Sequence, residues 1–208
     1  MKLQEKSFKN LKYCLWLPEN FNAKKKYPVI FFTHGAGSRG NDLNKLEQNH
    51  PVLQRILGYA EEAVICAPQC AKDTWFDVFE SLIALTEFIH GRAYADKKKF
   101  YGIGASMGGY AMIQLMQSRP QLFTAGIICC GGGMYWNAGR LKDIPLRIFH
   151  GKQDTVVLPC ESEHMSERIN ECGGNATLTL YPECAHNCWD KVFTNKENFD
   201  WLLSHARK

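Results

Sequence analysis

Along this chain, short and almost unbroken apolar runs alternate with stretches in which apolar residues return every three or four positions. Residues 27–33, 63–66, 125–130 and 146–149 are of the first kind, the pattern of parallel strands covered on both faces. Residues 12–17 alternate instead and close on Pro18, which predicts an early, edge-side strand, and 177–181 read as the last strand. Helical spacing fills the gaps. It covers 51–57 with Pro51 in its first turn, 79–89, 110–117 ending near Pro120, 160–172 stopped by Gly173 and Gly174, and a final helix over 196–205. Residues 40–50 are polar and read as surface loop, and the connection over 131–145 reads as a short loop.

At 208 residues, the chain is long enough for one good core and too short for two ordinary domains, so residues 1–208 are expected to form a single unit. Apolar residues make up 45% and charged ones 22%, which with this alternation excludes a disordered or fibrous chain. The net charge of +4 comes from scattered lysines and two runs, Lys24–Lys26 and Lys97–Lys99, each read as a solvated loop before a strand. Neither has arginine or aromatic interleaving, so no nucleic-acid partner is expected. Nine cysteines cannot all pair within the chain, and Cys14, Cys66, Cys129 and Cys130 sit inside apolar runs as small buried hydrophobes. Cys184 and Cys188 flank His186 without a second ligand pair at zinc spacing, so no metal is expected. The first six residues lack an apolar leader core, and no stretch approaches membrane-spanning length. A reduced, cytoplasmic protein with no membrane partner is the expectation.

Chemistry concentrates where the apolar runs end. The strand through Tyr101 runs into Gly104-Ala-Ser106-Met-Gly108-Gly109 and then into a helical pattern. A serine at such a turn has its hydroxyl pushed clear of the backbone, and only very small neighbours let strand and helix pass so closely. The helix that follows aims its first N–H groups at one point, with Met107 supplying a donor for an oxyanion. The run over 27–33 ends in His34-Gly-Ala-Gly37, which places the N–H of Ala36 as a second donor, with His34 shaping the loop. Asp154 and His186 each follow a later strand, and the order Ser106, Asp154, His186 supplies nucleophile, acid and base. Among rival histidines only His150 also sits at a strand end, four residues before Asp154. The rival acids Asp143, Glu161 and Glu183 do not lie directly after a strand between serine and histidine. Trp75 and Trp189 are candidates to line the cleft, with loop packing the equal alternative for Trp75.

The four pieces His34-Gly-Ala-Gly37, Gly104-Ala-Ser-Met-Gly-Gly109, His150-Gly-Lys-Gln-Asp154 and His186-Asn-Cys-Trp189 occur in register over most of the chain. In this it resembles the small α/β-hydrolases of the esterase and phospholipase-like or dienelactone-hydrolase-like kind, related in pattern to the catalytic domain of prolyl-oligopeptidase-type hydrolases. The resemblance implies an α/β-hydrolase fold: a twisted, mostly parallel sheet with helices on both faces. It also implies a Ser-His-Asp triad and ester hydrolysis without metal or cofactor. Residues 131–145 fall where larger relatives insert a cap and are too few for one. An open pocket favours small-molecule esters with short or aromatic acyl groups, some of them carbohydrate-linked. A peptidase or lysophospholipase of the same fold is the alternative, and a binding protein that has lost its chemistry is a further one.

Overall fold

The strand Tyr27–Thr33 shows how the molecule is layered. Val29 and Phe31 bury into one apolar cluster, while Ile30 and Phe32 bury into another on the opposite side. Successive side chains of a strand point to opposite faces, so a strand apolar throughout needs cover on both. In the computed structural model, which describes residues 1–48 and 50–207, eight strands form one sheet. They are β1 (Lys2–Phe8), β2 (Leu11–Leu17), β3 (Tyr27–Thr33), β4 (Val64–Gln69), β5 (Ala95–Ala105), β6 (Ala125–Cys129), β7 (Leu146–Gly151) and β8 (Ala176–Tyr181). Their order across the sheet is β1-β2-β4-β3-β5-β6-β7-β8. The strands β3 to β8 pair in parallel, while β1 and β2 form an antiparallel hairpin added against β4.

The helices are α1 (Asn44–Glu47), α2 (Pro51–Tyr59), α3 (Phe79–His90), α4 (Met107–Ser118), α5 (Cys160–Glu171), α6 (Trp189–Thr194) and α7 (Lys196–Ser204). One face of the sheet is covered by α3, α4 and α5 through residues such as Leu82, Met112, Met116 and Ile169. The other is covered by α2, α6 and α7 through Leu53, Ile56, Phe193, Phe199 and Leu202. Gly102 and Gly126 face α4, where an added Cβ would meet the Met112 and Met116 side chains at 2.4–2.5 Å. Small residues there let the helix lie close to the sheet. This is the α/β-hydrolase arrangement, and the connection from β6 to β7 carries one 3-10 segment, Tyr135–Leu141, tucked down by Ala138 and Leu141.

Some expectations are corrected. The strand over 12–17 is not at the edge: β2 is paired on both sides, and β1 is the edge strand. Its sequence, Lys-Leu-Gln-Glu-Lys-Ser-Phe, is exposed almost throughout, so no apolar face betrays it, and its charges suit an unpaired edge. Lys97–Lys99 lie inside the first half of β5 rather than in a loop before it. The short helices α1 and α6 were not foreseen, because each is a turn or two long and held by few buried anchors, Leu46 in α1 and Val192 with Phe193 in α6. Among the described residues, no helix is long and apolar enough to cross a membrane.

Candidate active site

Ser106 follows the last residue of β5 and precedes α4, with φ +55° and ψ −125°, a conformation side-chain-bearing residues seldom adopt. The strain is held in place by close packing. An added Cβ at Gly108 would come within 2.0 Å of the Thr33 carbonyl oxygen, and one at Gly104 within 2.4 Å of the Gly108 oxygen. Thr33 Oγ1 donates to the Gly108 oxygen at 2.7 Å, and Ser106 N–H donates to Cys129 O at 2.8 Å. The serine is thus locked between β3, β5 and β6.

Ser106 Oγ lies 2.8 Å from His186 Nε2, and His186 Nδ1 lies 2.7 Å from Asp154 Oδ2. An ionised carboxylate can only accept, so Nδ1 carries the ring proton and Nε2 is left to accept from the serine hydroxyl. Asp154 also takes the N–H groups of Val156 (2.8 Å) and Val157 (2.9 Å) on Oδ1. Burial by itself would raise its pKa, but the His186 hydrogen bond and these two backbone donors together hold it below the usual carboxylate value. The His186 side chain is 22% exposed and that of Asp154 fully buried, which gives a solvent-accessible base on a sheltered anion.

The loop after β3 faces the serine. A Cβ at Gly35 would sit 3.5 Å from Ser106 Cβ, so the chain passes directly beside the serine. Ala36 opens a 3-10 turn, Ala36–Ser38, and Met107 opens α4. The N–H at the first position of a helical turn has no carbonyl behind it to bond. His34 is fully buried: its Nδ1–H donates to Gly35 O at 2.7 Å, and its Nε2 accepts from Cys70 N–H at 3.0 Å. Burial lowers its pKa to about 4, so it is a neutral strut between this loop and the end of β4.

A cavity of about 470 Å³ opens at Ser106 and His186, walled by Ala36, Gly37, Ser38, Pro51, Val52, Val156 and Trp189. Trp189 stands edge-on to the His186 ring with centroids 5.2 Å apart. Trp75 is not in the cleft: it is fully buried, its indole N–H donating to His34 O at 3.0 Å and its ring packing on His34. The alternative role, loop packing, describes it. Sequence reasoning missed the His50-Pro51-Val52 wall and Val156. The first hides in the start of α2, where His50 Nδ1 accepts from Leu53 N–H at 3.4 Å. Val156 had a visible signal, since it follows Asp154 by two positions.

A family model described as the prolyl oligopeptidase family matches residues 69–138, which include Ser106 and stop short of Asp154 and His186. Dipeptidyl-peptidase 5 of Aspergillus fumigatus is 32% identical over 119 residues, covering 50% of this chain and 16% of that protein. A probable feruloyl esterase C of Aspergillus oryzae is 26% identical over 149 residues, covering 70% of this chain and 55% of that protein. The crystal structure of a thermostable esterase superposes with a TM-score of 0.82 at 28% identity, covering 99% of this chain and 63% of that one. The chain therefore spans about a sixth to little over half the length of these two curated relatives.

Proposed function

We propose that this chain, a small esterase-like α/β-hydrolase, is a serine carboxylic-ester hydrolase in which residues 1–208 act as one catalytic unit. The observation that carries the reading is the unbroken hydrogen-bond path from Ser106 Oγ through His186 to Asp154 Oδ2. Ser106 attacks the ester carbonyl carbon as its proton passes to His186 Nε2. The carbonyl oxygen, now negative, is met by the N–H groups of Ala36 and Met107. His186 then gives its proton to the leaving alcohol, and Asp154 steadies the imidazolium in between. Water, deprotonated by His186, attacks the acyl-enzyme and releases the acid.

The cavity wall is apolar and open to solvent, which suits a short or flat acyl group. A long alkyl chain would lie largely in water and gain little of the roughly 0.8 kcal/mol available per buried methylene. An aromatic acyl group can instead stack on Trp189. The reading places the substrate among small-molecule esters. It places the protein in the cytoplasm, where nine free cysteines persist as thiols. A second reading, a serine peptidase, is favoured by the prolyl oligopeptidase family match, and would use the same groups on an amide.

A fluorophosphonate probe is expected to label the protein at Ser106, and Ser106→Ala to lose both label and turnover while keeping its thermal midpoint. Residual turnover within about tenfold of the parent would sink the mechanism, since loss of a triad nucleophile costs many orders of magnitude. Nitrophenyl esters from acetyl to palmitoyl, alongside peptide nitroanilides, divide the readings. Highest kcat/KM on short or aromatic esters supports the esterase, a steady rise with chain length points to a lysophospholipase, and preference for the anilides to a peptidase.

A further inference from the structure

Asp154 stands between two imidazoles, and only one of them faces the serine. His150, at the end of β7, is fully buried, with its Nε2 2.9 Å from Val157 O and 3.2 Å from Asp154 Oδ2. A carbonyl and an ionised carboxylate are both acceptors, so His150 Nε2 carries a proton, which it donates to Val157 O, with Asp154 Oδ2 alongside at contact distance rather than hydrogen-bonded. On its other side Nδ1 lies 2.7 Å from Ser162 Oγ in α5, and that hydroxyl lies 2.8 Å from Gly131 O. The ring is therefore met at Nε2 by the acid's own loop and at Nδ1 by Ser162 of α5, whose one hydroxyl proton is divided between that nitrogen and Gly131 O. Cys130 also reaches this spot, its sulfur within 4.8 Å of the His150 and Asp154 ligand atoms. That thiol is turned to other work, donating to His186 O at 3.0 Å.

We propose that His150 is a positioning residue for the triad acid. Its Nε2–H holds the Val157 carbonyl, and so fixes the turn whose N–H groups grip Asp154 Oδ1 and aim Oδ2 at His186 Nδ1–H. Without it, Val157 O loses its donor and the turn that presents the Val156 and Val157 N–H groups to Oδ1 can shift, carrying the carboxylate away from His186 Nδ1–H. Ser162 serves one step further back by orienting the His150 ring. The inference rests on the serine-hydrolase reading, and it assigns to His150 a task different from the general-base role for which it rivals His186 in sequence. His150 does not line the cavity at Ser106, so its effect should fall on kcat rather than on KM.

The test is a double-mutant cycle with Asp154→Asn on a nitrophenyl acetate substrate. His150→Leu is expected to lower kcat about tenfold, the loss appropriate to leaving one buried carbonyl unpaired, with KM nearly unchanged. In the Asp154→Asn background the same change is expected to cost less than about threefold, because the partner through which it acts is gone. His150→Gln, whose amide N–H can reach the same oxygen, is expected to recover most of the loss. The downfield proton resonance of His186 Nδ1–H should be sharp in the parent and in His150→Gln and broadened in His150→Leu. Equal losses in both backgrounds, or parental kcat in a folded His150→Leu protein, overturn the proposal. If His150→Leu does not fold, Ser162→Ala carries the test, and an unchanged kcat together with an unchanged resonance overturns it. Should Asp154→Asn leave turnover intact, the hydrolase reading fails, while the resonance, which needs no substrate, still decides whether His150 holds the acid.

Discussion

Ser106 and His186, the proposed nucleophile and base, are held in opposite ways. Ser106 is fixed by the absence of room: glycines at 104 and 108 let β3, β5 and α4 close on it, and a single added carbon meets backbone at 2.0–2.4 Å. His186 lies in a partly exposed turn, residues 182–187, tied down by individual hydrogen bonds from Gln153 N–H to Cys184 O and from Cys130 Sγ to His186 O. Packing of the first kind is all-or-none, because a close-packed interior has no nearby alternative arrangement. Tethering of the second kind can shift by fractions of an ångström and still leave a folded protein. The comparison teaches that damage to the packing around the serine should appear as lost stability, and damage to the tether of the histidine as lost rate.

The largest effect should come from Gly108→Ala. Its Cβ would fall 2.0 Å from the Thr33 carbonyl oxygen, and both backbones there belong to the core, so neither can yield. A destabilisation of at least about 3 kcal/mol, at the upper end for overpacking, is expected in the urea midpoint. A variant as stable as the parent would show that the elbow has slack. Next comes Gly151→Ala, whose Cβ would lie 2.1 Å from Ala185 O and 2.4 Å from Cys184 O, in the turn that carries His186. That turn is partly exposed and can move away, so the thermal midpoint should drop by less than about 4 °C. The displaced imidazole should nevertheless cost about a hundredfold in kcat/KM. Unchanged kinetics would mean that the tether is looser than the catalytic geometry requires.

A change in slope rather than in midpoint is expected for pH dependence, and it again separates the two sides. His34 and His50 are buried, and burial lowers each from 6.5 to about 4, whereas His186 is open to water. As pH falls from about 6.5 to 4, the unfolded chain takes up protons at these two positions and the native state does not. Stability should therefore fall with pH across that window, by up to about 1.4 kcal/mol per pH unit for each histidine. The lowered carboxyl of Asp154 works in the same sense at lower pH, since its contribution is present above the unfolded value and is lost as pH falls through the native one. His50→Asn keeps a residue able to cap α2 and removes one titration, so urea midpoints taken at several pH values should show a shallower slope. An unaltered slope would place the acid sensitivity elsewhere.

Much of this was written in the order of residues. Apolar runs long enough to need cover on both faces specified the parallel strands, since no other arrangement buries residues such as Val29 to Phe32. Glycines at 104 and 108 announced a close strand-to-helix turn, because no side chain fits there. Ser106, Asp154 and His186 were legible because each follows a strand. Folding supplied what depends on distant partners. The exposed β1 has no apolar pattern and exists through its pairing with β2. Trp75 looked equally suited to cleft and core, and only the His34 carbonyl, 41 positions away in sequence, decided for the core. His150 looked like a competitor of His186 until α5 brought Ser162 to its other nitrogen. Sequence determines which residues must be buried or must be small, as local sterics and solvent demand. Which polar atoms then meet is set by the assembled sheet, because hydrogen bonds are short and directional and the residues that make them lie far apart along the chain.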